Sequence, residues 1–137
     1  MDAAQIDKAQ VDHWETVWGG MEMPTPMVTG GRAVRDHLAR SFDNFFSGAF
    51  RRFLNKSTND ASVIELGCGR SVWLPWFASR FGCRVSGLDY SQTGCRQAEA
   101  LLARDDIAGD IREGDIFSPP EDMLNSFDVV TSFGLVE

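Results

Sequence analysis

The sequence Val63-Ile64-Glu65-Leu66-Gly67-Cys68-Gly69-Arg70-Ser71 lies near the middle of this 137-residue chain and decides its fold. A short apolar run, typical of a buried strand, passes into a Gly-x-Gly turn and then into a helical pattern. Glycines in such a turn permit a tight bend and let a ligand approach the backbone, while the next helix offers free N–H donors. Gly-x-Gly alone indicates little about function, because a plain strand-to-helix turn has the same form.

Around this stretch, short apolar runs alternate with helical patterns. We predict strands over residues 62–66, 84–88, 111–117 and 127–132. We predict helices over residues 72–81 and from the N-cap Ser91 to about residue 104. Pro75 is compatible with the first of these helices because the first helical turn tolerates a missing N–H. The alternation predicts a parallel α/β sheet and leaves the form of the link over residues 118–126 open.

The first 60 residues have a different pattern, which predicts helices. A short helix is expected over residues 5–18, followed by a loop whose two glycines and two prolines exclude a continuous helix. Residues 32–54 place apolar side chains at spacings of three and four, which predicts a long amphipathic helix with a phenylalanine-rich buried face.

Composition excludes several classes of protein. The formal net charge of −7 disfavours nucleic acid as a partner, because a phosphate backbone would be repelled. Three cysteines without C-x-x-C spacing predict neither a disulfide framework nor a structural metal site. The N-terminus lacks the pattern of a signal peptide, and no stretch approaches the ~20 apolar residues that span a bilayer. We therefore expect a reduced, cytoplasmic chain with no membrane partner.

Two acidic residues in the predicted sheet are candidates for ligand binding. Glu65 ends an otherwise apolar strand, so its carboxylate should meet a cation or several donors; the alternative is a solvated side chain at the end of the sheet. Asp89 lies 22 positions after Gly67, where an acid would accept hydrogen bonds from the two ribose hydroxyls of a nucleoside. Its alternative role is that of a turn or cap residue, although Ser91 already fills the cap position.

One acid is expected at or just beyond the carboxyl end of each predicted strand: Glu65, Asp89, Asp115 and Glu137. Asp115 could accept a hydrogen bond from an adenine amino group while Ile116 packs on the ring. In an open α/β sheet this edge is where the ligand lies. Several acids with few fixed cations favour a ligand that carries positive charge and disfavour a polyphosphate.

With these motifs in order, residues 61–137 resemble the class I S-adenosylmethionine-dependent methyltransferases. Glu65-x-Gly67-x-Gly69-x-Ser71 matches the first motif of that family, with Ser71 where a third glycine is common. Asp89 matches the ribose-binding acid, Asp115-Ile116 matches the adenine-contacting pair, and Phe127-Asp-Val-Val matches the fourth motif.

The resemblance implies a Rossmann-like, doubly wound parallel sheet of seven strands, of which this chain would hold the first four. Residues 1–60 would form an N-terminal helical or lid segment, and residues 61–137 a cofactor-binding domain. Because no helix follows the fourth strand, we expect a truncated product. The resemblance also implies that S-adenosylmethionine contacts Glu65, Gly67, Cys68, Gly69, Ser71, Asp89, Tyr90, Asp115, Ile116 and Phe133.

The chemistry expected of such a protein is methyl transfer to an acceptor, for which a small molecule is favoured by the acidic charge. Glu137 is a candidate base by position alone, within an active-site loop implied over residues 133–137. Trp14 and Trp18 resemble the aromatic segment that closes over the cofactor in some members, although ordinary core packing is the favoured explanation of these two residues. Cys68 has no activating base nearby in sequence.

Two other functions remain open from the sequence. A nicotinamide-dependent oxidoreductase would share the strand–turn–helix start, but Val72 replaces the third glycine of the dinucleotide fingerprint. A non-catalytic, methyltransferase-like binding module would fit a chain that holds only part of the sheet. Oligomeric state is not readable from these residues.

Overall fold

The computed structural model of the chain describes residues 10–25, 34–133 and 135. Four α-helices lie within these ranges: α1 (Val11–Gly19), α2 (Val34–Phe53), α3 (Trp73–Phe81) and α4 (Gln92–Arg104). Four strands accompany them: β1 (Ser62–Leu66), β2 (Arg84–Asp89), β3 (Gly109–Glu113) and β4 (Val129–Thr131). Short 3-10 turns occupy Thr58–Asp60 and Glu121–Met123. Among the described residues, no helix combines the length and apolar character needed to cross a bilayer.

All four strands are parallel and lie in the order β3-β2-β1-β4. The predicted parallel α/β sheet is therefore confirmed. The chain advances from β1 outward to β3 and then returns to the opposite side of β1. The order of the strands thus reverses at β1, and such a switch point opens a crevice at the carboxyl ends of the strands.

The two faces of the sheet are covered in different ways. On one face, Val63 and Val85 pack into a cluster with aromatic residues of α2 and α3, among them Phe46 and Phe77. On the other face Ile64 and Leu88 are covered by Met123 and its neighbours, which belong to the link between β3 and β4. That link contains a 3-10 turn, Glu121–Met123, and no α-helix, which answers the question left open by the sequence.

The third strand differs from its prediction, since it ends at Glu113 and not at residue 117. The last ladder bond at this point runs from the N–H of Gly114 to the carbonyl of Asp89, at 2.8 Å. Asp115 then turns its carboxylate back to accept the N–H of Phe117 at 2.9 Å. This local bond satisfies a backbone donor that a strand would have used, so the prediction of a strand over 111–117 was wrong at both ends.

The fourth strand is shorter than predicted, because Asp128 is used as an anchor. Its Oδ2 accepts the N–H of Ser62 at 2.9 Å, and its Oδ1 lies 2.8 Å from the ammonium of Lys56. These bonds fix the start of β1 beside β4 and leave only Val129–Thr131 in the ladder. The predicted helix starts at residues 5 and 32 lie outside the described residues.

Gly87 in β2 is required by close packing against the turn after β1. A Cβ at Gly87 would lie 2.4 Å from Sγ of Cys68 and 2.8 Å from its Cβ. We expect Gly87→Ala to lower the free energy of unfolding by about 1–3 kcal/mol, since a well-packed interior cannot absorb an added methyl group. Urea unfolding followed by circular dichroism measures the change.

The control for this prediction is the double variant Gly87→Ala/Cys68→Gly, which removes the two nearest atoms that the new methyl group would meet and leaves Cδ1 of Ile111 at 3.0 Å. Relative to Cys68→Gly alone, Gly87→Ala should then cost much less than in the wild type. An equal cost in both backgrounds would show that the contact with Cys68 does not constrain Gly87.

Candidate functional site

The turn between β1 and α3 lies at the switch point of the sheet and is held by backbone bonds. Gly67 adopts a φ of 70°, in the left-handed region that favours glycine, and its N–H donates to the carbonyl of Leu88 at 2.8 Å. The N–H of Ser71 donates to the carbonyl of Cys68, also at 2.8 Å. The turn is therefore tied both to itself and to the end of β2.

Glu65 is buried on β1, with 2% of its surface exposed, and accepts a hydrogen bond from the hydroxyl of Ser71. Burial, with a smaller contribution from the charge of Asp89, raises the pKa of Glu65 to about 8. The hydrogen bond from Ser71 acts in the opposite direction. The sequence predicted a cation or several donors; the structure supplies one hydroxyl donor. A solvated Glu65 at the end of the sheet, the alternative considered from the sequence, does not occur.

Ser71 connects this carboxyl group to the start of α3. Its Oγ accepts the N–H of Trp73 at 3.0 Å and that of Leu74 at 3.3 Å, so it caps the helix while it donates to Glu65. The residue that replaces a third glycine thus has a structural task of its own. Pro75 lies in the first turn of α3, as predicted.

Asp89 ends β2 with 6% of its surface exposed. Its Oδ2 accepts the N–H of Gly69 and its Oδ1 accepts the N–H of Ser91, both at 2.8 Å. Burial raises the pKa of Asp89, and these backbone bonds act in the opposite direction. The Asp89 carboxylate therefore also stabilises the turns on either side of it. Ser91 caps α4, as predicted, because its Oγ accepts the N–H of Gly94 at 3.0 Å.

Cys68 is fully buried behind this turn, where its side chain lies against Gly87. Burial raises the pKa of its thiol, with a smaller contribution from the charge of Asp89. A buried thiol that resists ionisation is not a nucleophile.

The structure brings Glu65, Gly67, Gly69, Ser71 and Asp89 together, whereas Asp115, Ile116 and Phe133 make contacts with other residues. Asp115 is exposed and bonded to its own turn, and Ile116 packs beside the Ile64–Leu88 cluster. Phe133 stacks on Trp73 at 4.6 Å between ring centroids. Tyr90 is half-buried next to Asp89 in the chain, and Glu137 lies outside the described residues.

Four residues outside the predicted set of ligand residues lie at the turn or at the neighbouring helix α4: Glu15, Trp18, Gly94 and Leu135. A Cβ at Gly69 would lie 2.8 Å from Nε1 of Trp18, and a Cβ at Gly67 would lie 3.0 Å from Cδ1 of Leu135. Both glycines of the turn are therefore covered by side chains from distant parts of the chain. The sequence compared Trp14 and Trp18 with a segment that closes over the cofactor or with core residues; in the structure the two rings stack at 5.3 Å and Trp18 lies against Gly69.

The comparison with known protein families decides how this site is classified. The profile described as "Methyltransferase domain" matches residues 63–137, more than half of the chain. The chain belongs to the methyltransferase domain family. The match begins at β1 and includes the turn. Glu65, Gly67, Gly69, Ser71 and Asp89 therefore all lie within the methyltransferase domain, whereas Glu15 and Trp18 precede it.

Similar proteins and solved structures agree with this assignment. The chain is 42% identical over 57 residues to the ribosomal RNA small subunit methyltransferase C of Alcanivorax borkumensis. The aligned segment covers 42% of this chain and 17% of that protein. A S-adenosylmethionine-dependent methyltransferase from Thiobacillus denitrificans, solved with S-adenosyl-L-homocysteine, is 25% identical with a TM-score of 0.52. That match covers 68% of this chain and 36% of the other.

A coclaurine N-methyltransferase bound to N-methylheliamine and S-adenosyl-homocysteine shares the fold, with a TM-score of 0.56 and 16% identity. The match covers 90% of this chain and 40% of the coclaurine N-methyltransferase chain. The chain thus spans less than half the length of each of these relatives. At this identity the likeness extends to the fold alone.

Proposed function

We propose that the protein is an S-adenosylmethionine-dependent methyltransferase and that this chain carries its cofactor site. The observation that supports the proposal is the pair of buried carboxyl groups, Glu65 and Asp89, on either side of the Gly67–Gly69 turn at the switch point. Among the described residues, neither has a lysine or arginine as an ion-pair partner. Buried acids without a fixed cation fit a ligand that brings positive charge and hydroxyl donors.

The side chains at the turn have the chemical groups that S-adenosylmethionine would need as partners. Asp89 would accept hydrogen bonds from the ribose hydroxyls, and Glu65 with Ser71 would lie toward the amino end of the methionyl part. Gly67 and Gly69 would let the cofactor approach the backbone closely. When bound, S-adenosylmethionine supplies a methyl group on a sulfonium centre with a good leaving group. The task of the chain is then to hold and align it in a site that excludes water.

The acceptor that we propose is a small molecule. The net charge of −7 would repel a phosphate backbone, and no long basic tract appears in the sequence. The ribosomal RNA methyltransferase relative gives the competing class of acceptor. Transfer of a labelled methyl group by the full-length protein to small amines and thiols, with ribosomal RNA in a parallel reaction, would separate the two. Transfer to the RNA alone would overturn the small-molecule acceptor.

The proposal also covers the domain organisation of the chain and its cellular location. Residues 1–60 would serve as the lid segment and residues 61–137 as the cofactor-binding domain. A cytoplasmic location is supported by three cysteines that are buried and free, since reduced thiols persist in that compartment.

The test of the function is binding of S-adenosylhomocysteine by titration calorimetry, with NADH in a parallel titration. We expect saturable binding of the first and none of the second. Asp89→Ala should weaken the binding by about 100-fold, because two ribose hydroxyls lose a charged acceptor. Asp110→Ala is the matched control, since Asp110 is an exposed acid on β3 away from the turn.

Binding of NADH alone would overturn the methyltransferase and favour the oxidoreductase considered from the sequence. Binding of S-adenosylhomocysteine without transfer to any acceptor by the full-length protein would favour a non-catalytic binding module. Equal affinities in wild type and Asp89→Ala would remove Asp89 from the site while leaving the cofactor assignment intact.

A further inference from the structure

The helix α1 is attached to α4 by one carboxylate that crosses between them. Oε1 of Glu15 accepts the hydroxyl of Ser91 at 2.9 Å and the N–H of Thr93 at 3.1 Å. Oε2 of Glu15 accepts the hydroxyl of Thr93. Glu15 therefore supplies an acceptor, from 78 residues away in the chain, to the first turn of α4. An anionic acceptor at a helix N-terminus satisfies unpaired donors and is favoured by the helix dipole.

This attachment fixes the position of Trp18, which lies about one helical turn further along α1. The carbonyl of Trp18 accepts Nε2 of Gln97 at 2.9 Å. Its indole lies against two glycines: a Cβ at Gly69 would be 2.8 Å from Nε1, and a Cβ at Gly94 would be 3.0 Å from Cδ1. Neither position could carry a side chain with the indole in place, so α4 and the turn together form a seat for Trp18.

The indole of Trp18 also has a cationic neighbour. The guanidinium carbon of Arg70 lies 5.8 Å from the centroid of the Trp18 ring, and Arg70 donates to the carbonyl of Glu22. Arg104 donates to the carbonyl of Pro24 at 3.2 Å. The segment after α1 is thus held by one arginine of the turn and one of α4, through its backbone carbonyls, and Trp18 contacts Arg70 as well as the two glycines.

The polar contacts add to the packing of the half-buried Trp18 in attaching α1, none of whose residues is fully buried. A helix of nine residues is marginal in water by itself, so it persists here through its contacts with α4. Hydrogen bonds to a charged group are the strongest of the polar contacts available to it. Loss of the Glu15 charge should therefore free α1 more than loss of any other single exposed acid in the segment.

We propose that Glu15 is a positioning residue of the cofactor site: its bonds to Ser91 and Thr93 hold Trp18 against the glycine turn, so that α1 must leave α4 before the ligand enters or departs. The inference rests on the proposed cofactor function. It goes beyond that function because it assigns the attachment of α1 to one residue, Glu15, through its bonds to Ser91 and Thr93.

The test compares Glu15→Gln with two further variants of the same chain. Thr93→Val removes the hydroxyl donor to Glu15 and keeps the backbone N–H and the shape of the side chain. Glu22→Gln is the matched control, because it removes the same charge from the same segment. Glu22 is exposed, and its contact with Arg70 is made by its backbone carbonyl, which the substitution keeps. Circular dichroism of all four proteins verifies that the sheet remains folded.

The first measurement is amide hydrogen exchange without ligand, resolved to residues 11–19 and to β1. We expect Glu15→Gln to exchange about tenfold faster over residues 11–19, from the loss of a charge-assisted attachment, with β1 unchanged. Thr93→Val should give a smaller change in the same direction, and Glu22→Gln none. Exchange that is unchanged in Glu15→Gln would overturn the inference.

The second measurement is the rate of association and dissociation of S-adenosylhomocysteine by stopped-flow tryptophan fluorescence. If Trp18 controls exchange, Glu15→Gln should accelerate both steps, by about fivefold or more, and change Kd much less than either rate. Simple damage to the site would accelerate dissociation without accelerating association, and that result would overturn the inference.

Failure of the inference and failure of the proposed function give different results. A wild-type protein that binds no S-adenosylhomocysteine overturns both. A wild-type protein that binds it, with rates equal to those of Glu15→Gln, overturns the role of Glu15 alone and leaves the methyltransferase proposal in place.

Discussion

The free energy of unfolding should fall as pH rises from about 5 to about 8.5, and the part of this fall that is due to Glu65 should be absent in Glu65→Gln. The reason is the burial of the Glu65 carboxyl group, which raises its pKa in the folded chain from 4.5 to about 8. Between these two values the folded chain holds a proton that the unfolded chain has released. Stability due to this group is therefore complete below pH 4.5 and is lost as pH rises through 8.

The size of the effect follows from the difference between the two pKa values, which corresponds to on the order of 5 kcal/mol when Glu65 is fully ionised. Glu65→Gln keeps an acceptor for the hydroxyl of Ser71 and removes the ionisation. We expect the variant to match the wild type near pH 5 and to exceed it increasingly toward pH 9. Urea unfolding at fixed pH values, followed by circular dichroism, gives the difference directly.

Asp89 and the other titrating groups are present in both proteins, so their contributions cancel in this difference apart from the direct influence of Asp89 on Glu65. A difference in stability that stays constant between pH 5 and pH 9 would show that Glu65 is ionised throughout. It would then need a cation or further donors, which was the expectation from the sequence.

Phe77→Ala should lower the free energy of unfolding by about 3–5 kcal/mol, since deletion of a buried aromatic side chain leaves a cavity that the surroundings fill only in part. Phe77 is fully buried on α3, and its ring centroid lies 4.9 Å from that of Phe46 and 5.2 Å from that of Trp76. It joins α2 and α3 to the sheet beneath the turn. Chemical denaturation measures the loss.

Two controls accompany this variant. Phe77→Leu keeps most of the apolar volume and should cost much less than Phe77→Ala. Phe45→Ala makes the same deletion on α2 where the ring is 65% exposed, so it should change stability by less than about 1 kcal/mol. Similar costs for Phe45→Ala and Phe77→Ala would contradict the packing described for α2 and α3.

Much of the fold could be predicted because its signals are local. The apolar run from Ser62 to Leu66 and the glycines after it define β1 and its turn, and Ser91 begins α4 as expected. The errors occurred where a side chain competed with the ladder. Asp115 closes a local turn just after β3 and Asp128 holds the start of β1 just before β4, and in both places the predicted strand extended beyond the observed one.

Part of the candidate site could likewise be predicted from the sequence, and part could not. The sequence by itself determined the Gly67–Gly69 turn and the two acids Glu65 and Asp89, because a glycine turn and the ends of neighbouring parallel strands must meet at one edge of the sheet. It could not determine that Ser71 is the donor to Glu65, which depends on how the helix starts.

Only the tertiary structure decided what covers the turn. Glu15 and Trp18 reach α4 and Gly69 from more than 50 residues away, and Leu135 reaches Gly67 from the other end of the described chain. No periodicity in the sequence encodes such contacts, since each depends on where α1 packs and on two glycines that leave room for an indole. The sequence thus specifies the edge at which a ligand can bind, and the packing of distant segments specifies how that edge is closed.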